Sequence, residues 1–130
     1  MTHTSQMIES VFAVLKPDLK VETEAVSHDL YARLDKNYDD FKGHTLLSCH
    51  EFSEPWSSWE RHPAGDEIVL LLSGRTDFRL ETPAGEETLH LEEPGAYAVI
   101  PAGLWHTAIP QGVAKVLFIT PGEGTEHRSL

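Results

Sequence analysis

From residue 45 onward, apolar and polar residues alternate in short stretches separated by turns rich in glycine and proline. Such alternation places successive side chains on opposite faces of a β-strand. In the first stretch, one face would carry Leu46, Ser48, His50 and Phe52. Turns recur about every 10 residues, a spacing typical of antiparallel sandwiches and barrels. With about eight such strands, the pattern predicts an all-β jelly-roll barrel.

Two stretches depart from this alternation. Residues 67–73 (EIVLLLS) are continuously apolar after the first residue, which indicates a strand covered on both faces by a second sheet or a partner subunit. Before residue 45, helical spacing of Leu30, Leu34 and Tyr38, with Tyr31, predicts one short helix near residues 28–38, and Ser27 would be its N-cap. We expect an N-terminal strand and helix (residues 1–44) packing on a barrel (45–120), followed by a loose solvated tail (121–130).

Composition limits the possible functions. The 130 residues suffice for one domain with a real core. Lys and Arg number 10 against 21 Asp and Glu, a formal charge of -11 that argues against binding to nucleic acid or an anionic membrane. The lone Cys49 cannot form an internal disulfide, and no stretch approaches the roughly 20 apolar residues of a membrane span. We therefore expect a cytoplasmic protein.

Two spaced segments carry the residues suited to chemistry. The first is Glu60-x-His62-x4-Glu67-x6-Gly74 and the second is Gly95-x5-Pro101-x-Gly103-x2-His106. Glu60 and His62 would leave a strand from the same face, while turns would deliver Glu67 and His106 at the starts of other strands. These four side chains could converge in one barrel mouth as metal ligands.

The same segments resemble the two motifs of the cupin superfamily, in its small single-domain members. His62, Glu67 and Gly74 match the first motif, and Gly95, Pro101, Gly103 and His106 match the second in full. The resemblance covers about residues 44–120 and implies a double-stranded β-helix, the cupin jelly-roll barrel. Three positions depart from the motifs: Glu60 replaces a histidine, an upstream glycine is missing near Glu54 and Pro55, and Pro110 stands where asparagine is frequent.

The resemblance implies a divalent metal site of Glu60, His62, Glu67 and His106. Two carboxylates and two imidazoles suit Fe(II), Mn(II) or Zn(II) better than Cu(I). The alternative is that the histidines are hydrogen-bonded residues of a barrel that has lost its metal, and that Glu67 only solvates a strand end. Glu60 is the least determined of the four.

Other side chains are candidates for a pocket wall. Trp56 and Ser58 share the parity of Glu60 and would face the cavity, whereas Trp59 would face away. Trp105 and His50 are further candidates for this wall. The alternative is that Trp56 and Trp105 are core or dimer-contact residues and that His50 is a core histidine. His44, His90 and His127 are expected to be turn, surface and tail residues without a role.

Three functions remain open at this stage. The first is a metal-dependent enzyme on a small organic molecule, such as a dioxygenase, isomerase or decarboxylase, with unknown catalytic residues. The second is a metal or ligand sensor without activity, and the third is a structural dimer with a vestigial pocket. A homodimer is expected because residues 67–73 present apolar side chains on both faces, and because the resemblance implies pairing.

Overall fold

The computed structural model describes residues 3–130, which form two antiparallel β-sheets and one α-helix. In chain order the elements are β1 (Val11–Leu15), β2 (Val21–Ala25), α1 (Leu30–Asn37), a 3-10 turn (Asp39–Phe41), β3 (Thr45–Phe52), β4 (Ser58–Arg61), β5 (Glu67–Ser73), β6 (Thr76–Thr82), β7 (Gly85–Leu91), β8 (Tyr97–Ile100), β9 (His106–Pro110), β10 (Ala114–Pro121) and β11 (Glu126–Ser129). The all-β jelly-roll prediction, with one short N-terminal helix, is confirmed.

The two sheets divide the strands so that chain neighbours often lie in different sheets. The order is β2-β1-β3-β10-β5-β8 in the six-stranded sheet and β11-β4-β9-β6-β7 in the five-stranded sheet. The chain passes from β4 to β5 and back to β6, crossing between sheets each time. The ends of β4, β5 and β9 are thereby brought together, and these strands carry the motif residues.

Inward-facing residues of both sheets form the main core. Val69 and Leu71 of β5 and Phe78 of β6 are fully buried, and they pack with residues of β8, β9 and β10. The outward face of β5, with Ile68 and Leu70, is only partly covered. The continuous apolar run therefore does not lie under a second sheet on its outer side. At the end of β5, Gly74 has φ +76°, and a Cβ there would lie 2.0 Å from the Val113 carbonyl oxygen, so only glycine fits.

The N-terminal segment extends the larger sheet and makes its own core. β1 pairs with β3, and β2 pairs with β1 as an edge strand that the sequence pattern did not predict. A second cluster of buried apolar residues joins β1, α1 and β3: Phe12, Val14, Leu30, Leu34, Tyr38, Phe41 and Leu46. The division of the chain at residue 44 stays a prediction.

The helix begins at Leu30, two residues later than predicted. Asp29, not Ser27, is the N-cap residue, and its side chain makes no capping hydrogen bond. Ser27 instead receives a hydrogen bond from the Leu30 amide on its carbonyl oxygen, at 3.1 Å. The prediction of Ser27 as the N-cap is wrong because its hydroxyl bonds to the side chains of Asp29 and Arg33 and caps no backbone amide of the helix.

Two predictions about the rest of the chain also need correction. Residues 126–129 are not a loose tail, because β11 pairs with β4 in register from Glu126↔Arg61 to Ser129↔Ser58. His44 is not an ordinary turn residue, because it is buried against the rings of Tyr38 and Phe41.

None of the helices described for residues 3–130 has the length and apolar character that crossing a bilayer requires.

Candidate metal centre

Four side chains from the two motifs meet between the sheets. Glu60, His62, Glu67 and His106 each offer one nitrogen or oxygen atom, and these atoms all lie within 4.8 Å of one another. Glu60 and His106 are direct cross-strand partners in β4 and β9, while Glu67 is the first residue of β5. The structure thus brings together all four residues that the sequence nominated.

A glycine turn fixes the approach of the second motif. Gly103 has φ +78°, a left-handed conformation that favours glycine, and its amide donates a 3.0 Å hydrogen bond to the His62 carbonyl oxygen. This contact ties the turn before β9 to the end of β4. It positions His106, three residues further on, beside His62, with 5.3 Å between their ring centroids.

The atoms that face the centre of this cluster lack hydrogen-bond partners. His62 Nε2, His106 Nε2 and Glu67 Oε1 are all buried and unpaired. Glu67 is 2% exposed and His106 is 0% exposed. Buried polar atoms are normally paired, since leaving one unsatisfied costs about 1–3 kcal/mol. Three such atoms converging on one point therefore indicate a bonding partner placed between them.

The separations between these atoms suit a shared ion. His62 Nε2 lies 3.3 Å from Glu67 Oε2, and His106 Nε2 lies 3.2 Å from Glu67 Oε1. The Glu60 Oε1 atom is 3.8 Å from His62 Nε2 and 3.6 Å from His106 Nε2. Atoms bound to one metal ion at about 2.1 Å lie about 3–4 Å apart. The donor set and its spacing therefore fit a divalent first-row metal.

Contacts behind the cluster orient each candidate ligand. His106 Nδ1 lies 3.1 Å from the Leu104 carbonyl oxygen, which can only accept, so Nδ1 carries the proton. His62 Nδ1 lies 2.9 Å from Thr125 Oγ1, and that hydroxyl donates onward to the Gly122 carbonyl oxygen. Nδ1 of each ring is thereby engaged behind the cluster and Nε2 faces its centre, which is how outer contacts orient histidines toward a metal.

The carboxylate of Glu67 is held in the same way. Thr120 Oγ1 donates a 2.6 Å hydrogen bond to Glu67 Oε2, leaving Oε1 free toward the cluster. Neither Thr120 nor Thr125 was nominated from the sequence. Both follow the motif segments in the chain, and only the pairing of β10 and β11 into the sheets reveals their role.

Charge coupling between the four side chains shifts all four pKa values. Burial alone would lower the pKa of His62 and His106, but the carboxylates of Glu60 and Glu67 outweigh it and raise both to about 9. Burial alone would raise the pKa of Glu60 and Glu67, yet His106 and His62 lower both below the usual range. The carboxylates therefore favour the protonated form of both histidines, and the histidines favour the ionised form of both carboxylates.

The C-terminal strand also reaches the cluster. His127 of β11 is the cross-strand partner of Glu60, and its Nε2 lies 3.4 Å from Glu60 Oε2. His127 therefore lies beside the cluster rather than in a loose tail, and whether it has a role there stays a prediction. The short polar stretch EHRS contains no apolar alternation, so the sequence carried no local signal that this segment pairs with β4.

A cavity of about 980 Å³ opens beside the four residues. His50, Trp56 and Ser58 line it, as the sequence suggested. Phe52, Trp56 and Phe118 form one aromatic wall, with Trp56 5.8 Å from Phe52 and 5.9 Å from Phe118 between ring centroids. This volume is near the upper end of small-molecule sites, about 300–1,000 Å³.

The N-terminal helix contributes to the cavity mouth. Tyr31 of α1 lines the cavity and its hydroxyl lies 3.0 Å from His50 Nε2. Burial, together with the charges of Glu60 and Glu67, raises the pKa of Tyr31 to about 12, while burial lowers the pKa of His50. Both side chains are therefore uncharged near neutral pH.

Trp105 does not line the cavity, so its prediction as a pocket residue is wrong. Its ring contacts the guanidinium groups of Arg61 and Arg128, each 4.6 Å from the ring centroid. It directly precedes the inward-facing His106, and neighbours in an extended chain point to opposite sides. Trp59 also faces away from the cavity, beneath Arg128 at 5.5 Å, as its parity predicts.

Comparison with known proteins supports the fold. No protein-family model matches the chain, and no curated protein matches it either. Among solved structures, a cupin-2 domain containing protein from Shewanella frigidimarina is similar over 59% of this chain and 70% of that chain, with a TM-score of 0.51 and 19% identity.

Two further solved structures share the fold at lower identity. Oxalate decarboxylase from Bacillus subtilis matches with a TM-score of 0.55 and 14% identity, over 66% of this chain and 23% of that chain. Peruvianin-I, a cysteine peptidase from Thevetia peruviana latex, matches with a TM-score of 0.55 and 16% identity, over 66% and 56% of the two chains. The chain is thus a small protein with the cupin fold, and a fold shared by such different proteins specifies no activity.

Proposed function

We propose that Glu60, His62, Glu67 and His106 bind one divalent first-row metal ion, and that the adjacent cavity takes a small organic molecule. The observation that carries this proposal is the convergence of three buried, unpaired donor atoms on one point. An imidazole pair and a carboxylate pair make an oxygen-rich site that suits Fe(II), Mn(II) or Zn(II).

The residues around the site have separable tasks in this proposal. A divalent ion, when bound, supplies a Lewis acid that can polarise a carbonyl group or a water molecule. Thr125 and the Leu104 carbonyl oxygen hold Nδ1 of the two histidines, so that Nε2 of each ring faces the ion. The aromatic wall excludes water and orients the organic molecule, while His50, next to Phe118 of that wall, and Tyr31 offer polar contacts.

Paired histidine variants test the metal site. His106→Gln should lose most of the bound metal, since it removes one nitrogen donor from the centre. His44→Gln is the matched control, because His44 is also buried but lies outside the cluster. Metal content and circular dichroism are measured on both variants. Equal metal content in a folded His106→Gln protein would exclude His106 as a ligand.

The reaction class is proposed more broadly, as dioxygenase-, isomerase- or decarboxylase-like chemistry on a small organic molecule. A binder or sensor is the competing function, because the same site can hold a ligand without turning it over. Oxygen uptake and product formation, followed with the metal-loaded protein against a metabolite panel, distinguish the two. Tight binding without turnover across the panel would favour the sensor.

A homodimer through the outer face of the six-stranded sheet accompanies this proposal. Ile68 and Leu70 of β5 face outward beside their β8 partners Val99 and Tyr97, of which Tyr97 is 64% exposed. Adjacent apolar side chains on an open sheet face favour association. Light scattering at micromolar concentration should give the dimer mass, and Tyr97→Lys should shift it to the monomer. A monomeric native protein would count against this surface.

We also propose the cytoplasm as the compartment. The lone Cys49 is buried, and burial raises the pKa of its thiol, so it suits a reducing environment without reacting. Cell fractionation with an antibody to the native protein tests this location. Recovery in an extracellular fraction would contradict it.

A further inference from the structure

The charge of the cavity lining is one-sided. Among residues 3–130, all ten Lys and Arg side chains lie outside the lining. Carboxylates, in contrast, line both the floor and the mouth: Asp35, Asp40, Glu51, Glu60 and Glu67. Arg33 is held on Glu24 and Arg61 on Glu126, away from the cavity. Lys115 approaches the lining only at Glu51, with 3.9 Å between Nζ and Oε2.

The proposed metal does not reverse this bias. Two carboxylate ligands, Glu60 and Glu67, cancel the two positive charges of a divalent ion, and the histidines bind as neutral groups. A site with one carboxylate would keep a net positive charge that attracts an anionic ligand. Here Glu60 removes that charge, so the acidic rim of Asp35 and Asp40 dominates the potential at the mouth.

The neutral part of the lining can also recognise a cation. Phe52, Trp56 and Phe118 form a continuous aromatic wall, and aromatic faces attract ammonium groups through their quadrupole. At the cavity mouth, the Tyr31 hydroxyl is hydrogen-bonded to His50. The hydroxyl oxygen keeps a lone pair that can accept a hydrogen bond from a ligand N–H group.

We propose that this cavity takes an organic amine, protonated at its nitrogen and carrying an aromatic or alkyl body, and that it rejects carboxylates and phosphates. The proposal names the ligand class of the proposed metal site and therefore rests on that function. The aromatic wall and the acidic rim of Asp35 and Asp40 consist of protein side chains alone. The preference for an amine over a carboxylate is therefore expected without the metal as well.

Three probes of similar size and different charge test the proposal. Phenethylamine, phenethyl alcohol and 3-phenylpropionate are titrated by calorimetry into zinc-loaded and zinc-free protein at pH 7. The amine should bind about tenfold or more tightly than the carboxylate, because rim charges and aromatic contacts favour only the cation. Equal binding of the three probes, or tighter binding of the carboxylate, would overturn the proposal.

Rim variants locate the source of the preference. Asp35→Asn combined with Asp40→Asn should narrow the ratio of amine to carboxylate affinity by about fivefold, the upper range for exposed charges. Asparagine also tolerates the left-handed backbone of Asp40, at φ 53°. The matched control is Glu87→Gln with Glu93→Gln, which changes net charge equally at residues outside the lining. An equal effect of both pairs would overturn the assignment to the rim.

Zinc content, measured on each sample before titration, separates the two proposals. Protein that binds no zinc but prefers the amine contradicts the metal site and supports the ligand class. Protein that binds zinc but prefers the carboxylate supports the metal site and overturns the ligand class.

Discussion

Replacing Thr120 with valine removes one hydroxyl and almost no volume from the back of the cluster. That hydroxyl donates a 2.6 Å hydrogen bond to Glu67 Oε2, and both residues are buried. A hydrogen bond to a charged group contributes about 1.5–3 kcal/mol. Because the bond is present with and without metal, its loss falls partly on stability and partly on metal affinity.

The expected loss of metal affinity can be set from the same contact. A free-energy change of 1.4 kcal/mol corresponds to a tenfold change in affinity. If half or more of the hydrogen-bond energy is lost from metal binding, Thr120→Val should bind the metal about tenfold more weakly than the native protein. The reason is that Glu67, freed from Thr120, samples orientations in which Oε1 no longer faces the centre. Chelator competition with Zn(II) measures the affinity, and urea unfolding of the metal-free protein measures the stability.

Thr76→Val is the matched control for this substitution. Thr76 is also a fully buried threonine, but its hydroxyl donates to the Asp77 carbonyl oxygen in β6. It should lose about 1 kcal/mol of stability and leave metal affinity unchanged. The reasoning would be refuted if Thr120→Val bound zinc as tightly as the native protein, or if both variants weakened binding equally.

Three further outcomes follow from the cluster and the core. The pKa of His62 and His106 is about 6.5 in the unfolded chain and about 9 in the folded protein, so the stabilisation from protonating them is complete below about pH 6.5 and is lost as pH rises through about 9. The melting temperature of the protein in chelator should therefore fall between about pH 6.5 and pH 9. A constant or rising melting temperature over that range would contradict this coupling. His127→Ala should weaken zinc binding by up to about fivefold, because it frees the outer oxygen of Glu60; tighter binding in chelator competition would show that the contact opposes the site. Phe78→Ala should cost about 3–5 kcal/mol in urea unfolding, since Phe78 is fully buried between the sheets; a loss below about 1 kcal/mol would place it outside the core.

Local patterns predicted the parts of the fold that alternate strongly. Alternation located β3 and β6, helical spacing located α1, and the short apolar run at residues 11–15 located β1. β2 and β11 were missed because their side chains are almost all exposed and polar, leaving no apolar face to mark a strand. Their existence depends on backbone pairing with β1 and β4, which a local pattern does not record.

The residues of the candidate site also fall into those that local patterns predict and those that only the tertiary structure reveals. Strand parity and turn placement predict that Glu60, His62, Glu67 and His106 can converge, because each lies within a short, regular segment. The groups behind them come from β10, β11 and the turn before β11, far along the chain. Likewise, the left-handed turn at residues 39–41, which places Asp40 at the cavity mouth, uses backbone angles that non-glycine residues rarely adopt.

The metal content of the native protein tests the central claim most directly. Protein purified without chelator, and without a histidine tag, is analysed for first-row metals and then titrated with Zn(II), Mn(II) and Fe(II) while its melting temperature is followed. We expect up to one metal ion per chain after purification, and a rise in melting temperature as the remaining sites fill. Protein that contains no metal and melts at the same temperature with each ion would contradict a metal centre at Glu60, His62, Glu67 and His106.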